Sequence, residues 1–359
     1  MNMNKKIYIT VDMETPQTPF REGMLRESLF DHEFEYGAIL NICHFYHIPA
    51  TFFLNIYEEH FWGHGFFTEK CEQILMKGCD IQLHTHPFWQ YDKNRINMYE
   101  YSLDEQKEII SAGKIRLQEL TGEKVEIHRA GAYGADINTL HALRENGIYM
   151  DSSFFYDHKN CKLNQYSNQQ LIDTGIQQIE VLTFERGLKY DNNVVKLDID
   201  WMDLCELFTA MHVIINNNLN DIILFLHSSS FIKINGAYTK FELDYYKIFK
   251  FAAAIEYLIK NGYEFSLIKN ADTKNIEKSW EHLQIKLGKV SFQYHEIKVD
   301  KIQNEDSNYE IINKFKNYIK ANKSDIKRQI MKDRLYHMMY DSAMSYDAAN
   351  KFYHLLRGF

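Results

Sequence analysis

Only four prolines and five cysteines occur in the 359 residues, and no run approaches the roughly 20 apolar residues that a membrane-spanning helix needs. The scarcity of proline, with no low-complexity tract and no internal repeat, excludes a proline-rich linker or a repeat array. The cysteines (Cys43, Cys71, Cys79, Cys161, Cys205) are odd in number and scattered without a CxxC, so a disulfide framework is excluded and reduced thiols are expected. No removable leader is expected, because the first strand-like stretch starts near Lys6 and its Asp12 is a candidate site residue. A cytoplasmic protein is the expectation.

What is present is enough for a sizeable core, with 45% hydrophobic residues. The length accommodates one barrel-sized domain of about 250 to 270 residues plus an appendage. Charge is uneven. Residues 301–359 hold eleven basic and seven acidic side chains, a balance of +4, which leaves −12 for residues 1–300 of the overall −8. The acidic portion argues against nucleic acid as a partner.

The strand-like stretch KIYITVDME ends in Asp12-Met13-Glu14. Residues two apart on an extended segment share a side, so Asp12 and Glu14 aim two carboxylates at one point. Four more polar clusters follow hydrophobic runs in the same way: His84-Thr85-His86, His128-Arg129, Asp151-Ser152-Ser153 and His227-Ser228-Ser229. Helix-like segments alternate with these runs, at about residues 31–47, 66–77, 136–146, 202–217 and 241–261. Another opens at Ser102 with Glu105 at capping-box spacing and runs to Gly122 with Ile109, Ile110, Leu117 and Leu120 on its apolar stripe. Its mid-segment Gly113 weakens the pattern, and Ile115 falls off the stripe. Gly78, Gly147 and Gly262 stand where left-handed helix caps belong.

Strands alternating with helices imply parallel pairing, with functional residues gathered at the strands' carboxyl ends, as in a (β/α) barrel. Residues 1–270 are assigned to the barrel and 271–359 to a connection and a helical C-terminal extension. In the extension, Ile311, Ile312, Phe315, Tyr318 and Ile319, then Ile326, Ile330 and Leu335, line one side, with basic residues elsewhere. This predicts a cap docked on the barrel, with a partner-binding tail or peripheral membrane contact through the basic helices as the other reading.

His84 and His86 would point the same way if the strand continues to Pro87. Asp12 or Glu14 could then complete a two-histidine, one-carboxylate set, which leaves coordination positions open, as catalytic zinc or non-haem iron(II) requires. Arg129 at a strand end is expected to form a buried ion pair with a carboxylate of the site.

The order VDME, ATFFLN (Ala50–Asn55), DIQLHTHP, HRAGAYG, DSSF and LFLHSSS resembles the polysaccharide deacetylase (NodB-homology, carbohydrate esterase) family over roughly residues 6–268. It is most similar to the branch linked to lipopolysaccharide and surface-polysaccharide synthesis. The resemblance implies a distorted (β/α) barrel, a divalent metal ion with zinc first, and hydrolysis of an acetyl group, N-acetyl ahead of O-acetyl, on a nucleotide-linked or lipid-linked saccharide. It implies Asp12 as the base, Arg129 as the residue orienting it, Tyr133 as the donor of an oxyanion-stabilising backbone N–H, His227 as the general acid and Asp151 as the carboxylate tuning that acid. Glu14, His84 and His86 become the metal ligands. The family's second histidine usually lies four residues after the first, where this chain has Phe88, and His86 is the nearest substitute. Phe88, Trp89, Tyr133 and Trp201 are the aromatic candidates for packing on sugar rings. The alternatives are a hydrolase of a non-sugar amide on the same barrel and a non-catalytic saccharide-binding protein.

Overall fold

The stretch ending in Asp12 forms strand β1 (Lys5–Met13), and its two edges organise the sheet. A computed structural model describes residues 5–15, 36–186, 194–234, 241–271, 283–285 and 297–341. From one edge of β1 the sheet continues through β2 (Ala50–Leu54), β3 (Asp80–Thr85), β4 (Ile127–Ala130), β5 (Met150–Asp151) and β6 (Gln177–Gln178), each parallel to the last. Next in the chain come β7 (Thr183–Arg186) and β8 (Val194–Lys196), an antiparallel pair, and then β9 (Ile222–His227), which lies parallel on the other edge of β1. Bridges between Phe155 and Val181 and between Asp198 and Phe225 join that pair to both ends of the sheet. The pairing therefore runs round a distorted (β/α) barrel of the α/β class.

The expected helices form at Tyr36–Tyr46, Thr68–Met76, Leu103–Thr121, Ile137–Glu145, Leu204–Asn216 and Tyr245–Lys260, and residues 31–35 of the first lie outside the described residues. Gly78, Gly147 and Gly262 all take positive φ at their caps. The Ser102 N–H donates to Glu105 Oε2 at 2.7 Å, closing the capping box. Gly113, unfavourable by helix propensity, has a packing reason: a Cβ there would collide with the Tyr57 hydroxyl, which donates to the Ile109 carbonyl at 2.7 Å. Ile115 is exposed, as its place off the stripe implies.

In the C-terminal part, helices Asp300–Asn304 and Glu310–Asp341 follow one another, the second kinked at Asn322. Ile311, Ile312, Phe315, Ile319, Ile326 and Ile330 are buried, because the long helix lies against Tyr36–Tyr46, Leu204–Asn216 and Tyr245–Lys260. Tyr245 stacks on Tyr318 at 4.6 Å, and the Tyr246 hydroxyl donates to Asp333 Oδ2 at 2.8 Å. The Leu335 side chain lies outside the described residues. Within the expected connection, Leu283–Ile285 pairs parallel with β7 and so adds to the sheet. Among the described residues no helix is long and apolar enough to cross a membrane.

Candidate metal and proton-transfer site

Strand register assembles the site. Asp12 on β1 stands opposite His227 on β9, and His84 on β3 stands opposite Arg129 on β4. Neighbours in register on parallel strands share a face, so the four side chains converge at the carboxyl ends. Glu14, just past β1, completes a group with His84 and His86 whose ligand atoms all lie within 4.8 Å of one another.

The details fit a cation. His84 Nδ1 bonds the Arg129 carbonyl at 2.9 Å, which fixes the ring and turns Nε2 toward Glu14 Oε2 at 3.2 Å. Such a backbone contact on the far nitrogen is how ligating imidazoles are oriented. Both ring nitrogens of His86 are buried, Nδ1 without a partner and Nε2 with only the Glu14 carboxylate against it. An unsatisfied imidazole buried against a carboxylate is a costly arrangement unless a third group accounts for it. Gly131 permits the His86 position, since a Cβ there would run into the ring.

A second network fixes the loops that hold these three side chains. Glu58, fully buried, accepts from the Thr15 backbone and hydroxyl, from Asn55 Nδ2 at 2.9 Å and from Trp62 Nε1 at 3.1 Å. Asn55 in turn accepts from the His86 N–H at 3.2 Å and donates its own N–H to Met13 at 3.1 Å. The ends of β1 and β3 are thereby tied together just where Glu14 and His86 leave them.

Arg129 is fully buried and donates to Asp12 Oδ1 at 2.6 Å and to Ser152 Oγ at 3.2 Å. Burial raises the Asp12 pKa, but the guanidinium, with His84, His227 and Lys196 further off, outweighs it and holds the carboxyl below its ordinary value. Asp12 is thus a fixed anion.

The expected partner of His227 is not Asp151. Asp151 lies in register with His128 and bonds its Nδ1 at 2.7 Å, with the Ser153 hydroxyl also at 2.7 Å. Because His128 and Arg129 alternate across β4, Asp151 falls on the opposite side of the sheet from the site, and Ser152 is the residue of that cluster that faces Arg129. The carboxylate on His227 is Asp200, whose Oδ2 is 3.2 Å from Nδ1 and accepts from Ser230 Oγ at 2.6 Å. Lys247 Nζ donates to the other oxygen at 2.6 Å, and Lys250 Nζ bonds the Ile199 and Met202 carbonyls on either side of the same loop. Burial lowers the His227 pKa, yet the Asp200 bond, aided by Glu14 and Asp12, overcomes it and raises the value to about 9. Asp200 was within reach of the sequence: VVKLDID is one more hydrophobic run ending in carboxylates at two-residue spacing.

Tyr133 follows β4 in a left-handed turn with Ala132, at φ of 59° and 49°. Its ring is buried and its hydroxyl accepts from Lys196 Nζ at 2.7 Å. Lys196, unforeseen from sequence, is itself buried over the Phe225 ring, and burial pushes its amine pKa down. Phe88 and Trp89 are half-buried beside His86, and Trp201, next to Asp200, is 63% exposed.

No protein-family model and no curated protein matches the chain. Solved structures similar to it include the Xyl-CE4 domain of a multidomain xylanase from the hindgut metagenome of Trinervitermes trinervoides, at 14% identity, 74% of this chain, 88% of that chain and a TM-score of 0.37. A family 4 carbohydrate esterase from Streptomyces lividans follows at 10% identity, 74% and 93% coverage and a TM-score of 0.38. The peptidoglycan deacetylase PdaC from Bacillus subtilis is similar at 13% identity, 73% and 87% coverage and a TM-score of 0.36. At these identities and scores the likeness assigns no chemistry to this chain. Its own residues must carry that argument.

Proposed function

We infer that the chain is a carbohydrate deacetylase of the polysaccharide-deacetylase type, hydrolysing an N-acetyl group, ahead of an O-acetyl group, on a sugar of a surface-polysaccharide or lipopolysaccharide precursor. The observation that carries this reading is the pairing of Asp12 with His227 in register beside the Glu14, His84 and His86 group. Those three residues would hold a divalent ion, zinc first, which when bound supplies Lewis acidity toward water and an acetyl carbonyl. Asp12, anionic and aimed by Arg129, takes the proton of the water that attacks the carbonyl. The amine leaves only if protonated. His227, held cationic by Asp200, gives its proton to that nitrogen as the C–N bond breaks, and acetate and a free amine result. The resemblance assigns an oxyanion contact to the Tyr133 N–H, and the Lys196 bond to its hydroxyl supports a fixed place for that turn.

In the same reading residues 1–270 carry the chemistry and 271–359 brace it, with Phe88, Trp89 and Trp201 on the saccharide. Five buried thiols, none in a disulfide, support a cytoplasmic location, and in this reading the substrate is a nucleotide-linked or lipid-linked glycan. Peripheral membrane contact would use the exposed outer residues Lys320, Lys323, Lys327 and Arg328, since the apolar face of that helix is taken by the barrel.

The test is elemental analysis of the wild type and of His84→Ala, paired with acetate release from N-acetylated and O-acetylated saccharides. One divalent ion per chain and acetate release in the wild type, with both lost in the variant, is the expected result. Metal bound equally by both proteins sinks the ligand assignment, and metal without acetate release from any saccharide sinks the activity.

A further inference from the structure

With Asp200 beside His227, the residues His128, Asp151 and Ser153 have no part in the proton transfers, yet they are built with Thr85 as one unit. Thr85 Oγ1 lies 2.9 Å from His128 Nε2, and His128 Nδ1 lies 2.7 Å from Asp151 Oδ1. The Ser153 hydroxyl donates to the same carboxylate oxygen at 2.7 Å, and the Ser153 N–H donates to the other at 3.1 Å. Ser153 Oγ also accepts from the Ala130 N–H at 2.8 Å. All four residues are buried, and every polar atom of their side chains has a partner. A fully satisfied buried network of this kind holds one geometry.

The network is not repeated round the barrel. Strand alternation places it in the outer layer, behind the side chains that face the site. In that layer the ends of β1, β2 and β9 carry Met13, Leu54 and Leu226, all buried and apolar. Polar residues stand behind β3, β4 and β5 instead, and β3 is the strand that presents His84 and His86. Apolar groups of the same shape can replace a buried hydrogen-bonded pair at little cost in stability, so stability alone does not account for the choice.

The way β3 ends does account for it. Its pairing with β2 stops at Leu83, one residue before His84. Past that point Asn55 accepts from the His86 N–H, and Pro87 has no N–H to offer. The pairing with β4 reaches Thr85. Thr85 is therefore the last residue of β3 in the sheet, set between the two imidazoles, with its hydroxyl on His128 at the outer face. A rotation of the strand end that carried either imidazole away from Glu14 would have to break that bond.

We propose that Thr85, His128 and Asp151 are positioning residues for a divalent ion, fixing the end of β3 so that His84 and His86 face it together. The inference rests on the metal-site reading above and gives Asp151 a part in it from the far side of the sheet.

The test is the zinc affinity of the full chain, measured by competition with a metal-binding dye. Thr85→Val keeps the shape and removes the hydroxyl, and affinity should drop about tenfold or more, as when the support of a ligating side chain is lost. Asp151→Asn turns one acceptor into a donor and should weaken binding in the same way. Thr85→Ser keeps the hydroxyl and should keep the affinity. Leu258→Ala, a buried truncation on the helix Tyr245–Lys260, loosens the fold elsewhere and should leave zinc binding unchanged. Unchanged affinity in Thr85→Val, or an equal loss in Thr85→Ser or Leu258→Ala, would overturn the proposal while the metal site stands. A wild type that binds no zinc removes both. Zinc binding that depends on the Thr85 hydroxyl, without acetate release from any saccharide, keeps the brace and removes the hydrolysis.

Discussion

Arg129 Nη1 donates to Asp12 Oδ1 at 2.6 Å, and the guanidinium lies between the rings of Phe53 and Phe225 at 4.0 and 4.2 Å. The arginine holds a carboxylate in place from a strand three positions away in the sheet, with aromatic faces rather than water as its surroundings. Removing one member of such a pair strands the other as a buried charge. Arg129→Gln should therefore cost about 3–5 kcal/mol of stability, read from denaturant unfolding at neutral pH. The Asp12 pKa is lowered on folding, so its share of stability is present above the ordinary carboxylate value and is lost as pH falls through the lowered one. The penalty of the variant should shrink accordingly in acid, and a variant as stable as wild type at pH 7 would refute the pairing as a structural element.

Gly131 makes a sharper test of the metal site than deletion of a ligand. Gly131→Ala retains Glu14, His84 and His86 but displaces the His86 ring. Affinity for a divalent ion should drop by about 10- to 100-fold, the range seen when the supports of a ligand are disturbed. Competition with a metal-binding dye measures it, and unchanged affinity would remove His86 from the ligand set.

Asp12→Asn cannot accept a proton from water, and His227→Ala cannot donate one to the departing nitrogen. Each should lower acetate release by about 10²- to 10⁴-fold while metal content stays constant. An O-acetyl substrate has the better leaving group, so His227→Ala should harm its hydrolysis less than that of an N-acetyl substrate. Wild-type rates in both variants would show that another pair moves the protons.

The pH profile follows from Asp200. With its pKa raised to about 9, His227 is cationic through neutral pH and loses its proton as the pH rises through that value. The basic limb of the rate profile should lie near there. Asp200→Asn withdraws the main support of the cation, and the limb should move toward neutral pH. A limb that stays in place would mean that some other group controls it.

The parts legible in the sequence were those governed by short-range pattern. Hydrophobic runs ending in polar clusters located β1, β3, β4 and β9, and the glycine caps and the Ser102–Glu105 box located the helix ends. The Asp151 assignment failed on alternation. Reading Asp151-Ser152-Ser153 as one cluster ignored that successive strand residues face opposite ways, which sends Asp151 to His128 and Ser152 to Arg129. Glu58, Lys196 and Lys247 were beyond reach for another reason. Each acts through a partner that only the folded barrel brings close, and although Lys196 lies in the VVKLDID run, nothing there or around Glu58 and Lys247 says which partner each meets.

The helix Tyr245–Lys260 grips two parts of the molecule with its first two turns. Tyr245 and Tyr246 engage the C-terminal helix, while Lys247 and Lys250 hold the loop that presents Asp200 to His227. Residues 310–333 and His227 are thus mechanical neighbours through one short stretch of chain. A protein cut at about residue 270 would not be a bare catalytic barrel with a sticky patch. It would keep Asp200, Lys247 and Lys250 beside His227, but the helix that carries the two lysines would have lost the partners of Tyr245 and Tyr246 at its first turn.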